Sequence, residues 1–222
     1  MTLRFGILAF PNVQLLDFAA PYDAFAAVPD AEVLLVSQTT DTLRASTGLS
    51  FLPAVTFADC PQVDVLCVPG GAGVNALLGD EPTLAFIRDQ AAAAQYVTSV
   101  CTGSLLLGAA GLLQGKRATS HWYARDFLKH YGATPVDERI VQDGNVITAG
   151  GVTSGIDFGL AVIQALKGQL EAETVQLSIE YAPKPPFNSG TPSEALPEVL
   201  SAAKKRLASS RLEREAFFAK LR

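Results

Sequence analysis

The chain has 222 residues, 49% hydrophobic and 18% charged, which suits one globular domain with a sizeable buried core. A net charge of -5 makes a nucleic-acid or anionic-membrane surface a poor default, and no apolar run nears the ~20 residues of a membrane-spanning helix. Three cysteines, no Cys-x-x-Cys pair and only two histidines argue against a disulfide framework and against a structural zinc site.

Residues 1–7 read as the start of a strand and not as a secretory signal, so a reducing, cytoplasmic setting is expected. Residues 3–10 form an apolar run long enough for a buried parallel strand, broken by Pro11-Asn12. Residues 15–27 have helical spacing, with Pro21 as a distortion. A second strand follows at 32–38, then a polar antiparallel excursion over 39–56. The buried strand at 64–68 stops at Pro69-Gly70-Gly71-Ala72-Gly73. The pattern then predicts a helix over 83–94, a strand over 96–100, and helices over 102–113 and 119–131. Two short strands flank the turn signal Asp143-Gly144-Asn145, and a second glycine-rich loop runs from Thr148 to Gly155. Helices are predicted over 156–166 and 171–181. Residues 1–182 therefore read as one α/β domain with a mostly parallel sheet covered on both faces, its glycine-rich breaks placed after strands.

Residues 183–222 form a different segment. Its Pro-rich start cannot be regular helix or central strand. From residue 193 it becomes an amphipathic helix, with Leu196, Val199, Leu200, Ala203, Leu207, Leu212 and Leu221 as apolar members. Such a stripe packs on its own domain or on a twin subunit. Acids interrupt its basic run, which disfavours a nucleic-acid arm. One helix is also too little for a helix-turn-helix reader.

The candidate chemistry centres on Cys101. A strand leads into it and a small-residue apolar helix follows, with Gly103 permitting the tight turn of a nucleophile elbow. The helix start favours thiolate over thiol, and the Thr102 amide would project near the sulfur to hold developing charge. Cys60 and Cys67 fit the ordinary role of small buried hydrophobes. Asp17, flanked by apolar residues just past the first strand, is either a helix cap or a carboxyl near the thiolate. In the second case its pKa rises and it can deliver a proton. His121 could reach the strand ends, or lie in the first turn of a helix capped by Ser120. His130 reads as a solvated helix-end residue. The Gly71-Ala72-Gly73-Val74-Asn75-Ala76 string is a weak dinucleotide signal, because it follows an interior strand. A backbone that approaches the elbow and donates N–H groups from Gly70 and Gly71 to an oxyanion position is the preferred use.

Asp17, Pro69-Gly70-Gly71 and Ser99-Val100-Cys101-Thr102-Gly103 together resemble the ThiJ/PfpI superfamily, related to the class I glutamine amidotransferases. The resemblance implies a flavodoxin-like three-layer sandwich and commonly a homodimer. Many protease-like members carry histidine directly after the cysteine, where Thr102 stands here, and many members carry glutamate at the place of Asp17. The Asp17 and Cys101-Thr102-Gly103 combination, with Ala118-Thr119-Ser120-His121-Trp122 and the stretch from Glu180 to Asn188, is similar to the isonitrile hydratase (isocyanide hydratase) branch. That similarity implies Cys101 as nucleophile, Asp17 and Thr102 as its catalytic neighbours, and Gly150-Gly151-Val152 beside the cysteine. It also implies a small-molecule isocyanide and water as reactants, a covalent thioimidate, an N-substituted formamide as product, and no metal or other cofactor. The rivals are a glyoxalase, deglycase or amidase-like thiol enzyme on the same scaffold, and a ligand- or oxidation-sensing module.

Overall fold

The structure, a computed structural model, describes residues 2–220; Met1, Leu221 and Arg222, which the sequence reading placed in the first strand and last helix, lie outside them. The first half contains β1 (Leu3–Leu8), α1 (Leu15–Ala26), β2 (Ala31–Ser37), β3 (Leu43–Arg44), β4 (Ser50–Phe51), β5 (Val55–Thr56), β6 (Val65–Val68), α2 (Val74–Leu77) and α3 (Glu81–Ala91). The second half contains β7 (Tyr96–Val100), α4 (Gly103–Ala109), β8 (Arg117–Ala118), a 3-10 helix (Arg125–Tyr131), β9 (Thr134–Pro135), β10 (Ile140–Asp143) and β11 (Val146–Ala149). It ends with α5 (Ser154–Lys167), α6 (Gln169–Ser178) and α7 (Pro197–Ala219).

Seven strands form the central sheet in the order β10-β11-β7-β6-β1-β2-β5. All neighbours are parallel except the β10–β11 hairpin at one edge. The interior strands β1 and β6 are largely apolar because both of their faces are covered, and β7 buries Thr98 and Ser99 as well. Helices α1 and α5 pack together on one side, with α6 against α5, while α3 and α4 pack on β6 on the other. This is the expected flavodoxin-like sandwich with a C-terminal helix.

Glycine lets α1 and α5 approach closely. A Cβ at Gly155 would sit 3.2 Å from the Cδ of Pro21, and one at Gly159 would sit 2.8 Å from the Cβ of Ala24. Pro21 stands inside α1, and the flat face at Gly155 leaves room for its ring. Gly159→Val is therefore expected to lower stability by about 1–3 kcal/mol, read as a shifted midpoint in denaturant unfolding.

Two expected elements differ. The helix expected over 102–113 ends at Ala109, and Gly111 then enters the left-handed region at φ 84. Residues 119–124 are not helical, and only a 3-10 helix forms from Arg125. The Thr119 amide donates to the Thr148 Oγ1 at 2.9 Å and the Ser120 hydroxyl donates to the Cys101 carbonyl at 3.0 Å, which draws this backbone away from a helical path. Ser120 is thus not an N-cap. No helix of the described residues is long and apolar enough to cross a membrane.

Candidate active site

The C-terminal ends of β1, β6, β7 and β11 converge on Cys101. In this residue φ is 57, a left-handed conformation that a non-glycine residue adopts only when its surroundings impose it. The surroundings do so through hydrogen bonds. Its amide donates to the carbonyls of Ala149 at 3.0 Å and Gly150 at 2.8 Å. Its carbonyl accepts from the hydroxyls of Ser104 at 3.2 Å and Ser120 at 3.0 Å. The turn closes only because Gly103 has no side chain: a Cβ there would overlap the Val68 carbonyl.

Asp17 lies in the first turn of α1 and is fully buried. It is not the helix cap, because Gln14 holds that position. Its Oδ2 accepts the Gly70 amide at 3.0 Å, while Oδ1 has no hydrogen-bond partner. Burial raises its pKa from 3.8 to about 7, against the smaller opposing pull of the Cys101 thiol and the Gly70 amide. Burial and then the Asp17 charge push the Cys101 thiol well above its usual range, while the Thr102 amide beside the sulfur pulls it down. The helix-start effect expected to favour thiolate does not prevail, since α4 is only seven residues long and the site is dry. The two groups cannot both be charged at low cost, so near neutral pH the thiol keeps its proton and Asp17 is poised between its neutral and charged forms.

The glycine loop after β6 is used in a different way from the expected one. The Gly70 N–H is taken by Asp17, and the Gly71 N–H donates to the Thr102 Oγ1 at 3.1 Å. Neither amide points free at an oxyanion position; both hold catalytic candidates in place. The Thr102 hydroxyl is correspondingly engaged with Gly71 and not with Asp17. A Cβ at Gly70 would lie 2.5 Å from the Thr102 nitrogen and 2.8 Å from the Asp17 Oδ2, so glycine is what lets these two groups flank the loop. Gly71, at φ 134, bridges to Val13 after β1.

A cavity of about 300 Å³ opens over the sulfur, with Cys101, Thr102, Gly71, His121 and Val152 in its wall. Gly150 is in contact with the elbow through its carbonyl, and a Cβ at Gly151 would sit 3.2 Å from the His121 ring. His121 accepts the Tyr123 amide at Nδ1, 3.2 Å away, which leaves its proton on Nε2. Burial, Arg214 and Arg125 push its pKa down to about 4, so it is a neutral wall residue at pH 7. His130 is exposed, as expected, but its ring also stacks on Phe218 with centroids 4.3 Å apart. Cys67 is fully buried in β6 with its pKa pushed up to about 12, and Cys60 gives its S–H to the Pro61 carbonyl.

Sequence reasoning missed the other half of the cavity. Arg206, Leu207, Ser209, Ser210 and Arg214 of α7 form its roof. Phe218 holds α7 down by stacking against Phe127 and His130, and Arg211 pairs with Asp126 at 2.7 Å. The paired phenylalanines Phe217-Phe218 at the helix end were the available signal.

The chain is 57% identical to an isonitrile hydratase of Pseudomonas putida over 210 residues, covering 95% of this chain and 92% of that one. A ThiJ/PfpI family protein of Pseudomonas syringae has a solved structure that superposes with a TM-score of 0.95 at 41% identity, covering 98% of this chain and 91% of that one. The Drosophila melanogaster DJ-1beta structure, at 22% identity and a TM-score of 0.74 over 82% of this chain and 100% of that one, shares the fold. The family model for DJ-1/PfpI matches residues 4–165, a span that includes Asp17, Gly70 and the Cys101 elbow. The chain belongs to the DJ-1/PfpI family.

Proposed function

We infer that this chain is a hydro-lyase that hydrates isocyanides to N-substituted formamides, with Cys101 as nucleophile. The observation that carries the reading is the fully buried Asp17 beside the Cys101 elbow, in a chain 57% identical to an isonitrile hydratase. The terminal carbon of R–N≡C carries a lone pair and is also electrophilic. As the sulfur adds there, the thiol proton passes to Asp17, and Asp17 returns it to the same carbon. The product of this step is R–N=CH–S–Cys, the sum of isocyanide and thiol. Water then adds across the C=N bond, oxygen to carbon and hydrogen to nitrogen. Collapse of R–NH–CH(OH)–S–Cys breaks the C–S bond, gives R–NH–CHO, and returns the thiol. A carboxyl with a pKa of about 7 is suited to both directions of proton transfer near neutrality. The Thr102 amide is placed to stabilise charge on sulfur. No step requires expulsion of an amine, which fits threonine after the cysteine in place of a histidine.

Incubation with an aliphatic isocyanide should yield the formamide, and a parallel incubation with methylglyoxal should not yield lactate. Lactate without formamide would replace this reading with the glyoxalase one. Gly70→Ala should cut the hydration rate by about 100-fold, because its Cβ would move Asp17 and Thr102 apart from the sulfur. We also propose that the protein acts as a homodimer in the cytosol. Leu170 and Leu177 stand on one face of α6, 80% and 81% exposed, and a second copy would cover them. Sedimentation should then give twice the 23.4 kDa chain mass.

A further inference from the structure

Arg214 is only 6% exposed, yet it takes part in none of the ion pairs formed among the described residues. Its Nε donates to the Asn75 Oδ1 at 2.8 Å and its Nη2 to the Ser210 hydroxyl at 2.8 Å, both neutral acceptors. The neighbouring Glu213 is turned to the Asn75 Nδ2 at 2.7 Å instead. Arg211, one turn earlier on α7, shows the contrast: it is held by the carboxylates of Asp126 and Glu215. A buried guanidinium without a direct ion pair is costly: Cys101 and Glu213 act on it only at a distance, and Asn75 and Ser210 orient it without neutralising it.

Its place makes the missing charge informative. Arg214 lines the same cavity as Cys101, with Arg206 beside it and no aspartate or glutamate in the cavity wall. His121 is neutral there, so the α7 side of the cavity is positive, through Arg206 and Arg214, while the negative charge of the site lies at the opposite end with Asp17, beside Cys101. A neutral substrate would leave the guanidinium with no direct ion pair in the loaded site. A planar carboxylate on the arm of the substrate would compensate it, through the N–H groups that Asn75 and Ser210 do not use.

We propose that Arg214 is the receptor for a carboxylate on the R group, so that the preferred substrates are isocyanides bearing a carboxylate a few bonds from the nitrogen. This rests on the isocyanide reading above. The cavity reaches from the sulfur to α7, so the reacting carbon and the carboxylate occupy opposite ends of one small molecule.

The test compares isocyanoacetate with its methyl ester. In the native protein kcat/KM should favour the acid by about tenfold or more, and Arg214→Gln should lower that acid-to-ester ratio by about tenfold to a hundredfold. Arg214→Lys should restore part of it. A second readout needs no turnover: alkylation of Cys101, followed by peptide mass, with iodoacetate against iodoacetamide. Arg214→Gln should slow the anionic reagent relative to the neutral one by about tenfold. If that variant does not fold, the native protein still decides, because rising ionic strength should slow iodoacetate and leave iodoacetamide unchanged. Preference for the ester, or equal reagent selectivity with and without Arg214, overturns the proposal. Iodoacetate selectivity that depends on Arg214 without hydration of any isocyanide would keep the anion site and remove the isocyanide reading.

Discussion

Asp17→Asn is expected to cut hydration by about 100- to 10,000-fold while making the protein more stable above pH 7. The two effects share one cause. Asp17 has a folded-state pKa of about 7 against 3.8 when solvated, and it is fully buried. Between those values the folded chain holds a proton that the unfolded chain has lost. The contribution of Asp17 to stability is thus fully present below about pH 4, falls as pH rises, and is lost above about pH 7, a loss of roughly 3–5 kcal/mol. Asparagine keeps an oxygen for the Gly70 amide and removes the titration. Denaturant unfolding at pH 5 and pH 8 measures this directly: the variant should gain most at pH 8 and little at pH 5. A variant that loses activity and also loses stability at pH 8 would show that Asp17 is held for its packing and not for its proton. Iodoacetamide alkylation of Cys101 separates the roles further. If hydration and alkylation fall equally, Asp17 acts on the thiol alone; a much larger fall in hydration shows that it also delivers the proton to carbon.

Cys101→Ala should remove turnover, by at least about 10,000-fold, since Cys101 carries the only thiol in the cavity wall among the described residues. Alanine keeps the Cβ, so the left-handed turn at φ 57 is no more strained than before. The hydrogen bonds that fix this turn come from the backbone and from Ser104 and Ser120, and all survive the change. The melting transition should stay within about 1 kcal/mol of the native one. Retained formamide production would remove the nucleophile assignment. Removal of sulfur also takes away the thiol contact that lowers the Asp17 pKa, so that pKa should rise in this variant. The native protein, quenched during turnover, should carry the isocyanide mass on the Cys101 peptide.

The sheet was legible because strands covered on both faces must be apolar runs, and each run ends at glycine or proline where the chain turns. Cys101 was legible for the same reason: a reactive residue stood between a strand pattern and a helix pattern. The protonation of the site was not. It depends on how dry the cavity is, and dryness comes from residues far apart in sequence, such as Asp17 beside Gly70. The 119–131 segment misled because its side chains have ordinary helical preferences, while Thr119 and Ser120 are bound to Thr148 and Cys101. Arg214 was hidden among alternating charges on α7. Only the docking of Phe218 decides which of those charges turns inward.

The roof over Cys101 has a consequence for inheritance and for engineering. The residues proposed to attack and protonate, Cys101 and Asp17, lie within residues 4–165, the span of the family match, whereas α7 begins at Pro197. A chain could keep its reaction and exchange its ligand by replacing one terminal helix, without disturbing a single strand. Grafting the α7 segment of a relative onto this body is accordingly a route to altered selectivity with the thiol chemistry untouched. Conversely, likeness confined to the sheet and elbow says which bond a relative can make, and leaves open which molecule it will admit.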